Sequence, residues 1–535
     1  MDTGAFFAIL MFATAFLCLM AGFPVAFTLA GVALLFGGIG IIATNAGVGD
    51  LAMDERVLTL MPERIYAIIQ NEVLLAVPMF VLMGVVLERS KVAEELLETM
   101  GQLFGRVRGG LGISVTLVGA LLAASTGIVG ATVVTMGLLS LPTMMRHKYD
   151  PKLATGAIAA AGTLGQIIPP SIVLVLLGDV ISTAYQKAQQ AKGNFAPEPV
   201  AVGDLFMGAL VPGLLLVFLY ILYQIIYAAL KPEAAPPFPP MTDRAEERGA
   251  LIARLVRALV APILLVVAVL GSIMTGLASP TQAASVGAIG AIMLGAWRAC
   301  PPSDHQAYSK GALILAVGAI ALMSLIVLGK LTDLSANGSM VLRSIGFLLA
   351  VIGGTTIGFA AWRLDRSKSL RPALTATVTI TTMVYTILIG AALFSLVFRG
   401  LGGDRAIEDW LGNLPGGQAT ALLVTMLIIF VLGFFLDFIE ITFVVVPIVG
   451  PVLLGLGVDP IWLGVLIAIN LQTSFLTPPF GFALFYLRGV APPEVTTGAI
   501  YRGAIPFVII QLATLALIAA VPALATALPN LLRAG

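Results

Sequence analysis

Two carboxylates stand alone in a long apolar stretch, residues 418–456, which carries no other charge. They are Asp437 and Glu440, three residues apart, so a helical turn would place both on one face. At membrane depth a charge is costly and usually has a function. The pair could coordinate a cation or accept a proton. The alternative is that the segment reaches bulk water and both are solvated turn residues.

Neutral oxygen donors cluster at four places in the chain. Hydroxyl groups and the carbonyls of unwound helices are suitable ligands for Na⁺. A single Ser or Thr more often bonds to a carbonyl of its own helix, so only the clustering argues for a site. The candidate groups are Ser125, Thr126, Gly127, Gly130 and Thr132; Gly162, Thr163, Gly165 and Gln166; Gly433 and Thr442; and Asn470, Gln472, Thr473, Ser474 and Thr477.

The composition places these groups in a membrane protein. Of 535 residues, 59% are hydrophobic and 11% are charged, and the mean hydropathy is +1.04. A soluble domain usually carries about 25% charged residues. The net charge of +1 gives no reason to expect a nucleic-acid partner. Two cysteines and two histidines predict no transition-metal site. The lack of a P-loop predicts that transport is not coupled to ATP within this chain, and the lack of a catalytic constellation predicts that it is not an enzyme.

Twelve apolar stretches are long enough to cross a bilayer, which takes about 20 residues of helix. They are residues 5–21, 23–45, 72–88, 151–184, 204–230, 251–275, 279–297, 311–329, 342–362, 372–398, 460–487 and 498–525. Two more, 111–145 and 418–456, are too long for one helix and too short for two crossings. We predict that both are re-entrant helical hairpins, surrounded by protein or lining a water-filled cavity.

Lysine and arginine are distributed unevenly over the predicted loops. If the loop at 88–110 is cytoplasmic, 20 of the 29 basic residues lie on that side and nine on the other. This agrees with the rule that cytoplasmic loops are enriched in positive charge. Both termini are then periplasmic, the first hairpin opens from the cytoplasm, and the second opens from outside.

Each predicted hairpin is followed by the same pattern of prolines. Asp150-Pro151 precedes Pro169-Pro170, Asp459-Pro460 precedes Pro478-Pro479, and the distance from the first proline to the pair is 18 residues in both. A proline pair removes two backbone donors and blocks helical geometry before it, so each span should break into two half-helices. Inverted repeats with paired broken helices are typical of secondary transporters. The alternative is that proline merely kinks ordinary bundle helices.

Several of these motifs resemble the large membrane subunit of tripartite ATP-independent periplasmic (TRAP) transporters. They are the run at 162–171 that ends in Pro169-Pro170-Ser171, the run Ser-Pro-Thr-Gln-Ala-Ala-Ser at 279–285, Phe435-Leu436-Asp437, and Leu476-Thr477-Pro478-Pro479. The resemblance implies an all-α polytopic, inverted-repeat, elevator-type carrier in the bacterial cytoplasmic membrane. It implies Na⁺-coupled uptake of a small organic acid. It also implies two partners, a small membrane subunit of about four helices and a periplasmic solute-binding protein.

The resemblance also implies which residues form the sites. In the family, the hairpin tips and the loops of the broken helices form the Na⁺ and substrate sites. Ser125 and Glu440 are added here because of their own oxygen groups, not because of the resemblance. We assign substrate binding to Thr126, Gly127, Thr132, Asp437, Glu440 and Thr442. We assign Na⁺ binding to Ser125, Gly162, Thr163, Gly165, Thr473, Ser474 and Thr477. One departure concerns the first tip, which reads Thr126-Gly127-Ile128-Val129 where many members have Ser-Gly-Ser-Ser.

The chain is longer than most members by two predicted spans near 311–329 and 342–362, which we interpret as a scaffold addition. We divide it into residues 1–100 (scaffold and arm helices), 101–203 (first hairpin and broken helix), 204–300 (scaffold helices and linker), 301–375 (insertion), 376–417 (scaffold and arm), 418–490 (second hairpin and broken helix) and 491–535 (terminal span). In its length the chain resembles a subgroup labelled for mannitol or chloroaromatic compounds, and members associated with 2-oxo monocarboxylates are similar too. Of these substrates we favour the acid over the polyol. Two alternatives remain: a self-sufficient Na⁺- or H⁺-coupled anion symporter, and a polytopic membrane enzyme or channel.

Overall fold

The computed structural model describes residues 2–49, 51, 53–90, 92–104, 107–126, 129–237, 245–299, 305–331 and 340–534. All regular secondary structure in these ranges is helical, as predicted. The α-helices of the first half are α1 (Thr3–Met20), α2 (Val25–Asn45), α3 (Arg56–Thr59), α4 (Met61–Ile69), α5 (Ala76–Arg89), α6 (Val92–Phe104), α7 (Gly110–Thr126), α8 (Val129–Arg146), α9 (Pro151–Thr163), α10 (Ile172–Ala191), α11 (Val202–Leu230) and α12 (Ala245–Met274).

The α-helices of the second half are α13 (Pro280–Arg298), α14 (His305–Leu331), α15 (Met340–Arg366), α16 (Leu370–Gly400), α17 (Gly403–Gly412), α18 (Gly417–Leu432), α19 (Phe438–Glu440), α20 (Val446–Gly455), α21 (Pro460–Leu476), α22 (Phe482–Val490), α23 (Thr497–Ala520) and α24 (Ala523–Ala534). Two 3₁₀ segments, Leu164–Gln166 and Pro232–Ala234, and one π-helical segment, Ile441–Val445, complete the described helical structure.

Within the described ranges, eight helical segments are long and apolar enough to cross a membrane. Six of them coincide with predicted spans: α1, α2, α11, α15, α16 and α23. The other two are arms of the predicted hairpins, α8 and the segment Phe438–Gly455. The remaining predicted crossings correspond to α5, α12, α13, α14 and the two interrupted segments.

The first predicted hairpin is formed by α7 and α8, which pack against each other and against α9. Its arms have 17 and 18 residues, so each is about 26 Å long at about 1.5 Å per residue. The second hairpin pairs α18 with the π-helical segment and α20. Both arms of each hairpin are therefore short helices that fold back on each other, as predicted.

Both predicted breaks occur at the proline pairs. The first segment is helical to Thr163, continues as the 3₁₀ turn, and becomes α-helical again at Ile172. The second is helical to Leu476, turns at Thr477 with an extended ψ of 121°, and restarts at Phe482. The Pro169–Pro170 and Pro478–Pro479 peptide bonds are cis. The structure confirms the predicted half-helices.

The starts of these two broken segments are also alike. Asp150 Oδ1 accepts a hydrogen bond from the backbone N–H of Lys152 at 2.9 Å, and Asp459 Oδ1 accepts one from Trp462 at 2.9 Å. Proline follows at the first helical position, where its missing N–H costs no hydrogen bond. The Asp-Pro dipeptide therefore fixes where each broken segment begins.

The helices pack in two groups. Helices α7–α11 and α18–α24 contact mainly one another, α1–α6 and α12–α16 form the second group, and α17 contacts helices of both. The predicted insertion supplies α14 and α15, which pack together and against α13 in the second group. Four of the six proposed segment boundaries, at 100/101, 203/204, 375/376 and 417/418, fall inside the described helices α6, α11, α16 and α18.

Candidate functional site

The two broken segments meet inside the first helix group. Gln472 Nε2 on α21 donates to Thr163 Oγ1 at the end of α9, at 3.4 Å. These residues are 309 positions apart in sequence, and both side chains are fully buried. The structure therefore brings the C-terminal ends of the two first half-helices to one place, as paired broken helices require.

The hydroxyl groups predicted to bind Na⁺ at the breaks all donate to carbonyls of their own helices. Thr163 donates to Ala160 O at 2.8 Å, and the second break repeats this arrangement three times. The bonds there are Thr473 to Ile469 O at 2.7 Å, Ser474 to Leu471 O at 2.8 Å and Thr477 to Thr473 O at 2.7 Å. This is common local bonding. Since a hydroxyl that donates keeps its acceptor lone pairs, these oxygens still fit a cation.

Gln166, in the 3₁₀ turn of the first break, has the least satisfied side chain of the site. Its Nε2 and Oε1 are both buried, and neither has a hydrogen-bond partner among the described residues. Gln472 Oε1 is unpaired in the same way. Buried polar side-chain atoms normally have a partner. Unpaired amide oxygens beside the two breaks are therefore what an oxygen-coordinated cation would need there.

The hairpins lie directly on the breaks. Gly162, just before the first break, packs so closely on Val133 of α8 that a Cβ would overlap the valine side chain. Gly433, at the end of α18, leaves no room for a Cβ beside Ser474 Oγ. Both positions therefore need glycine for close approach. Each hairpin packs against the broken helix that follows it in sequence.

Asp437 and Glu440 do not share one face toward a ligand. Asp437 has an extended ψ of 162° and is the N-cap residue of α19, so it is not part of a helical turn. Its Oδ1 accepts from Phe438 N–H at 2.7 Å, and Glu440 Oε2 accepts from Asp437 N–H at 3.1 Å. This is reciprocal helix capping. Asp437 therefore caps the helical turn that carries Glu440, and the two carboxylates do not lie side by side on one helical face.

Glu440 faces the second helix group. Its side chain is buried and lines a small apolar cavity of about 20 Å³ together with Phe16 of α1 and Phe394 of α16. The interpretation of Glu440 as a solvated turn residue is therefore wrong. Asp437 is half-buried and lies within electrostatic range of Tyr486. Of the two, Asp437 is the one placed toward the hairpin tips.

The structure places the remaining predicted substrate residues only in part. Thr132 on α8 and Thr442 in the π-helical segment are both buried. Thr442 Oγ1 has no partner among the described residues, and π-helical turns are frequent at functional sites. The backbone of Ser125 and Thr126 ends α7, but their side chains and all of Gly127 lie outside the described residues.

Tyr486 on α22 connects the two hairpins and was missed by the sequence analysis. A Cβ on Gly130, near the start of α8, would lie 2.9 Å from the Tyr486 ring, and α22 packs against α8. On its other side the ring is within range of the Asp437 charge. The aromatic run after Pro478-Pro479 was the available signal, because it opens the second half-helix.

Comparisons with known proteins identify a family and several relatives of this chain. The family model described as "Tripartite ATP-independent periplasmic transporter, DctM component" matches residues 12–310 and 298–524. The second matched range includes the residues that the sequence analysis set apart as extra spans. Two relatives are large permease proteins. The first is the C4-dicarboxylate TRAP transporter protein DctM of Pseudomonas aeruginosa, 28% identical over 464 residues, with 86% of this chain and 87% of that protein covered.

The second relative is the sialic acid TRAP transporter large permease protein SiaM of Vibrio cholerae, which is 25% identical over 514 residues, with 96% of each chain covered. Among solved structures, the YdaH transporter of Alcanivorax borkumensis is similar with a TM-score of 0.53 and 14% identity. That match covers 95% of this chain and 98% of the other, and it shows a shared fold.

Proposed function

We propose a specific mechanism for this chain, which belongs to the family of the DctM component of TRAP transporters. It is therefore the large permease subunit of a secondary transporter for organic acids, not an enzyme, and a multi-span protein of the inner membrane. The proposal adds that import is coupled to Na⁺, that the substrate is a small organic acid, and that the first helix group moves against the second as an elevator.

The contact between the two breaks is the single observation that carries Na⁺ coupling. Thr163 at the end of α9 meets Gln472 in the last turns of α21, and Gln166 and Gln472 leave amide oxygens unpaired nearby. Na⁺ takes neutral oxygen ligands at unwound helices in transporters. Gly162 and Gly165 of the first break and Thr473, Ser474 and Thr477 of the second supply further oxygens within the same two segments.

The elevator motion is supported by the way that the two helix groups are connected. Few side-chain hydrogen bonds join them in the described part of the chain. Thr135 of α8 donates to Glu88 Oε1 at 2.6 Å, and Asn71 Nδ2 donates to both oxygens of Asp179 at 3.1 Å. Much of the remaining contact is apolar, such as the edge-to-face pair of Phe16 and Phe435 at 5.8 Å. Apolar surfaces are not directional, so they can slide.

The partners and the substrate class follow from the relatives. Large permeases of TRAP transporters work with a small membrane subunit and a periplasmic solute-binding protein, and we propose the same for this chain. The relatives' names give C4-dicarboxylate and sialic acid, which are both acids. Within that class we propose a 2-oxo monocarboxylate as the substrate, with the binding protein selecting it.

Reconstitution tests the proposal. The chain is placed in liposomes with its small subunit and its binding protein, and uptake of a labelled 2-oxo monocarboxylate is measured with an inward Na⁺ gradient. We expect uptake that stops when choline replaces Na⁺ and when either partner is omitted. Na⁺-driven uptake by the chain alone would instead identify a self-sufficient symporter, and uptake indifferent to Na⁺ would remove the coupling proposal.

A further inference from the structure

A cavity of about 230 Å³ lies between the two helix groups, away from the breaks. Its walls are α4 and α16 of the second group and α10 and the start of the second hairpin's returning arm in the first group. Phe443 and Pro447 provide the hairpin wall. The π-helical segment that carries Thr442 therefore forms part of the wall of this cavity and also belongs to the candidate site.

Three positively charged side chains line this cavity: Arg64 of α4, Lys187 of α10 and Arg399 of α16. Lys187 lies within electrostatic range of both arginines, and Arg399 is within range of Arg64. No carboxylate of the described residues is within ion-pair distance of any of the three. Arg399 Nη2 donates to Ser395 Oγ at 3.2 Å. Three like charges thus repel one another with no direct counter-ion.

Two carboxylates lie near these cations without neutralising them. Asp179 lines the cavity, but both of its oxygens accept hydrogen bonds from Asn71 Nδ2 at 3.1 Å. Asp404 interacts with Lys187 and Arg399 only beyond ion-pair distance. Asp404 does not line the cavity, and the five groups together keep a formal surplus of one positive charge. A bound anion would relieve the repulsion between the cations.

The topology places this cavity on one side of the membrane. Arg64, Lys187 and Arg399 come from three segments far apart in sequence, and all three belong to the nine basic residues assigned to the periplasmic side. Their meeting at one cavity agrees with an assignment to one side. Under that assignment the cavity faces the periplasm, the side from which an imported acid arrives.

We propose that this cavity is an anion-binding vestibule that takes the carboxylate of a small organic acid before it reaches the site at the breaks. The role in import rests on the proposed function, whereas anion binding rests on the cavity alone. Arg399 and Arg64 present guanidinium forks that suit a carboxylate, and Lys187 adds a point charge. A converging positive field also raises the local concentration of an anionic substrate.

Protection of Lys187 from acylation tests the vestibule directly. The full chain is held in phosphatidylcholine nanodiscs without Na⁺, treated with a water-soluble acylating reagent, and analysed by peptide mass spectrometry, with succinate as the probe. At about ten times its dissociation constant, succinate should slow acylation of Lys187 about tenfold, because only the unoccupied fraction reacts. Lys192, exposed at the end of the same helix, is the internal control and should react at an unchanged rate.

Variants with opposite expected signs sharpen the test. Arg399→Gln should raise the succinate concentration that gives half-maximal protection of Lys187 about tenfold. Arg405→Gln, which changes an exposed residue of α17, should leave that concentration unchanged. Asp179→Asn should lower the half-protecting succinate concentration severalfold, because it removes a negative charge beside the bound anion. Succinamide, which has the same carbon skeleton without charge, should not protect Lys187.

Each possible outcome decides the proposal. Unchanged acylation of Lys187 with succinate, or equal slowing at Lys192, would overturn it. Protection without succinate in phosphatidylglycerol nanodiscs would identify a lipid headgroup as the anion and overturn the role in substrate access. The measurement needs neither Na⁺ nor partner subunits, so a failure of Na⁺-driven uptake with intact Lys187 protection would remove only the coupling proposal.

Discussion

The two breaks arise from the same proline pattern but have different surroundings. At the first break every residue from Gly162 to Ser171 is buried, and Gln166 is unpaired in the interior. At the second break the hydroxyl groups up to Ser474 are buried, but the turn beyond Thr477 opens outward, and Phe480 is 47% exposed. The first break is therefore covered by its hairpin and the second is partly open, so the two halves are alike in sequence pattern but not in access.

A larger side chain at Gly162 tests how closely the first hairpin packs on the first break. Gly162→Val forces a side chain into Val133, and overpacking of a buried position costs about 1–3 kcal/mol. We expect uptake to be lost and the thermal midpoint of the purified protein to fall. Gly354→Val on α15 is the matched control, since a Cβ there meets nothing within 4 Å.

Gly433→Val, the same change at the second break, should have a smaller effect, because its obstacle is the small Ser474 side chain. If Gly162→Val transported normally, the first hairpin would not be packed on the break as described. If both variants had equal effects, the difference in packing between the two breaks would be disproved.

Replacing Gln166, whose side-chain amide is unpaired, should affect transport and stability in different ways. In Gln166→Leu, an unsatisfied buried amide is replaced by an apolar group of similar size, which is nearly neutral or stabilising for folding. We expect the thermal midpoint to stay level or rise, while uptake falls about tenfold through loss of a cation-facing oxygen, worth about 1.4 kcal/mol.

Gln224→Leu is the control for this change. Gln224 Oε1 on α11 is also unpaired in the described part of the chain, but its Nε2 donates to Thr116 Oγ1 at 2.7 Å. That variant should lose stability and not change the Na⁺ dependence. Unimpaired uptake by Gln166→Leu would show that the orphaned amide has no part in transport.

Asp437→Asn tests whether the carboxylate matters beyond capping. Asparagine is as good an N-cap as aspartate, so the stability should change by no more than about 0.5 kcal/mol. We expect uptake to fall severalfold, since the variant removes a negative charge within electrostatic range of Tyr486. Glu440→Gln, which changes a carboxylate facing the apolar cavity at α1 and α16, should affect uptake less.

The Asp437 comparison is measured as initial uptake rates at equal amounts of folded protein. Normal uptake by Asp437→Asn would remove Asp437 from the site and leave it only the capping role. A larger loss in Glu440→Gln than in Asp437→Asn would reverse the assignment of the two carboxylates.

The smallest expected effect is on the Na⁺ requirement. Thr163→Val keeps the shape of the side chain but removes the oxygen that accepts from Gln472, so half-maximal uptake should need severalfold more Na⁺. Thr377→Val on α16 removes a hydroxyl with the same local bonding, to Ala373 O at 2.9 Å, but in the second helix group. Its Na⁺ dependence should equal that of the wild type, and equal shifts in both variants would contradict the assignment.

The features that are local in sequence were predictable. The length of the apolar stretches predicted the hairpins, and Asp-Pro followed by Pro-Pro predicted where the broken helices start and stop. These are consequences of backbone chemistry within about 20 residues, which tertiary contacts do not override.

The features that depend on packing were not predictable. The separation of Asp437 from Glu440 follows from a cap geometry that the spacing alone does not determine. Tyr486 lies between two hairpins only because α22 packs on α8, and Arg64, Lys187 and Arg399 meet only through the contacts between the two helix groups. No periodicity in the sequence carries that information.

The central claim is that the two breaks form one cation site, and a double-mutant cycle tests it most directly. The free energy of Na⁺ binding is derived from the half-saturating Na⁺ concentration of the wild type, Thr163→Val, Thr473→Val and the double variant. One shared site predicts a coupling energy of about 0.5–3 kcal/mol between the two threonines. Additive effects, within about 0.3–0.5 kcal/mol, would show independent residues and contradict the claim.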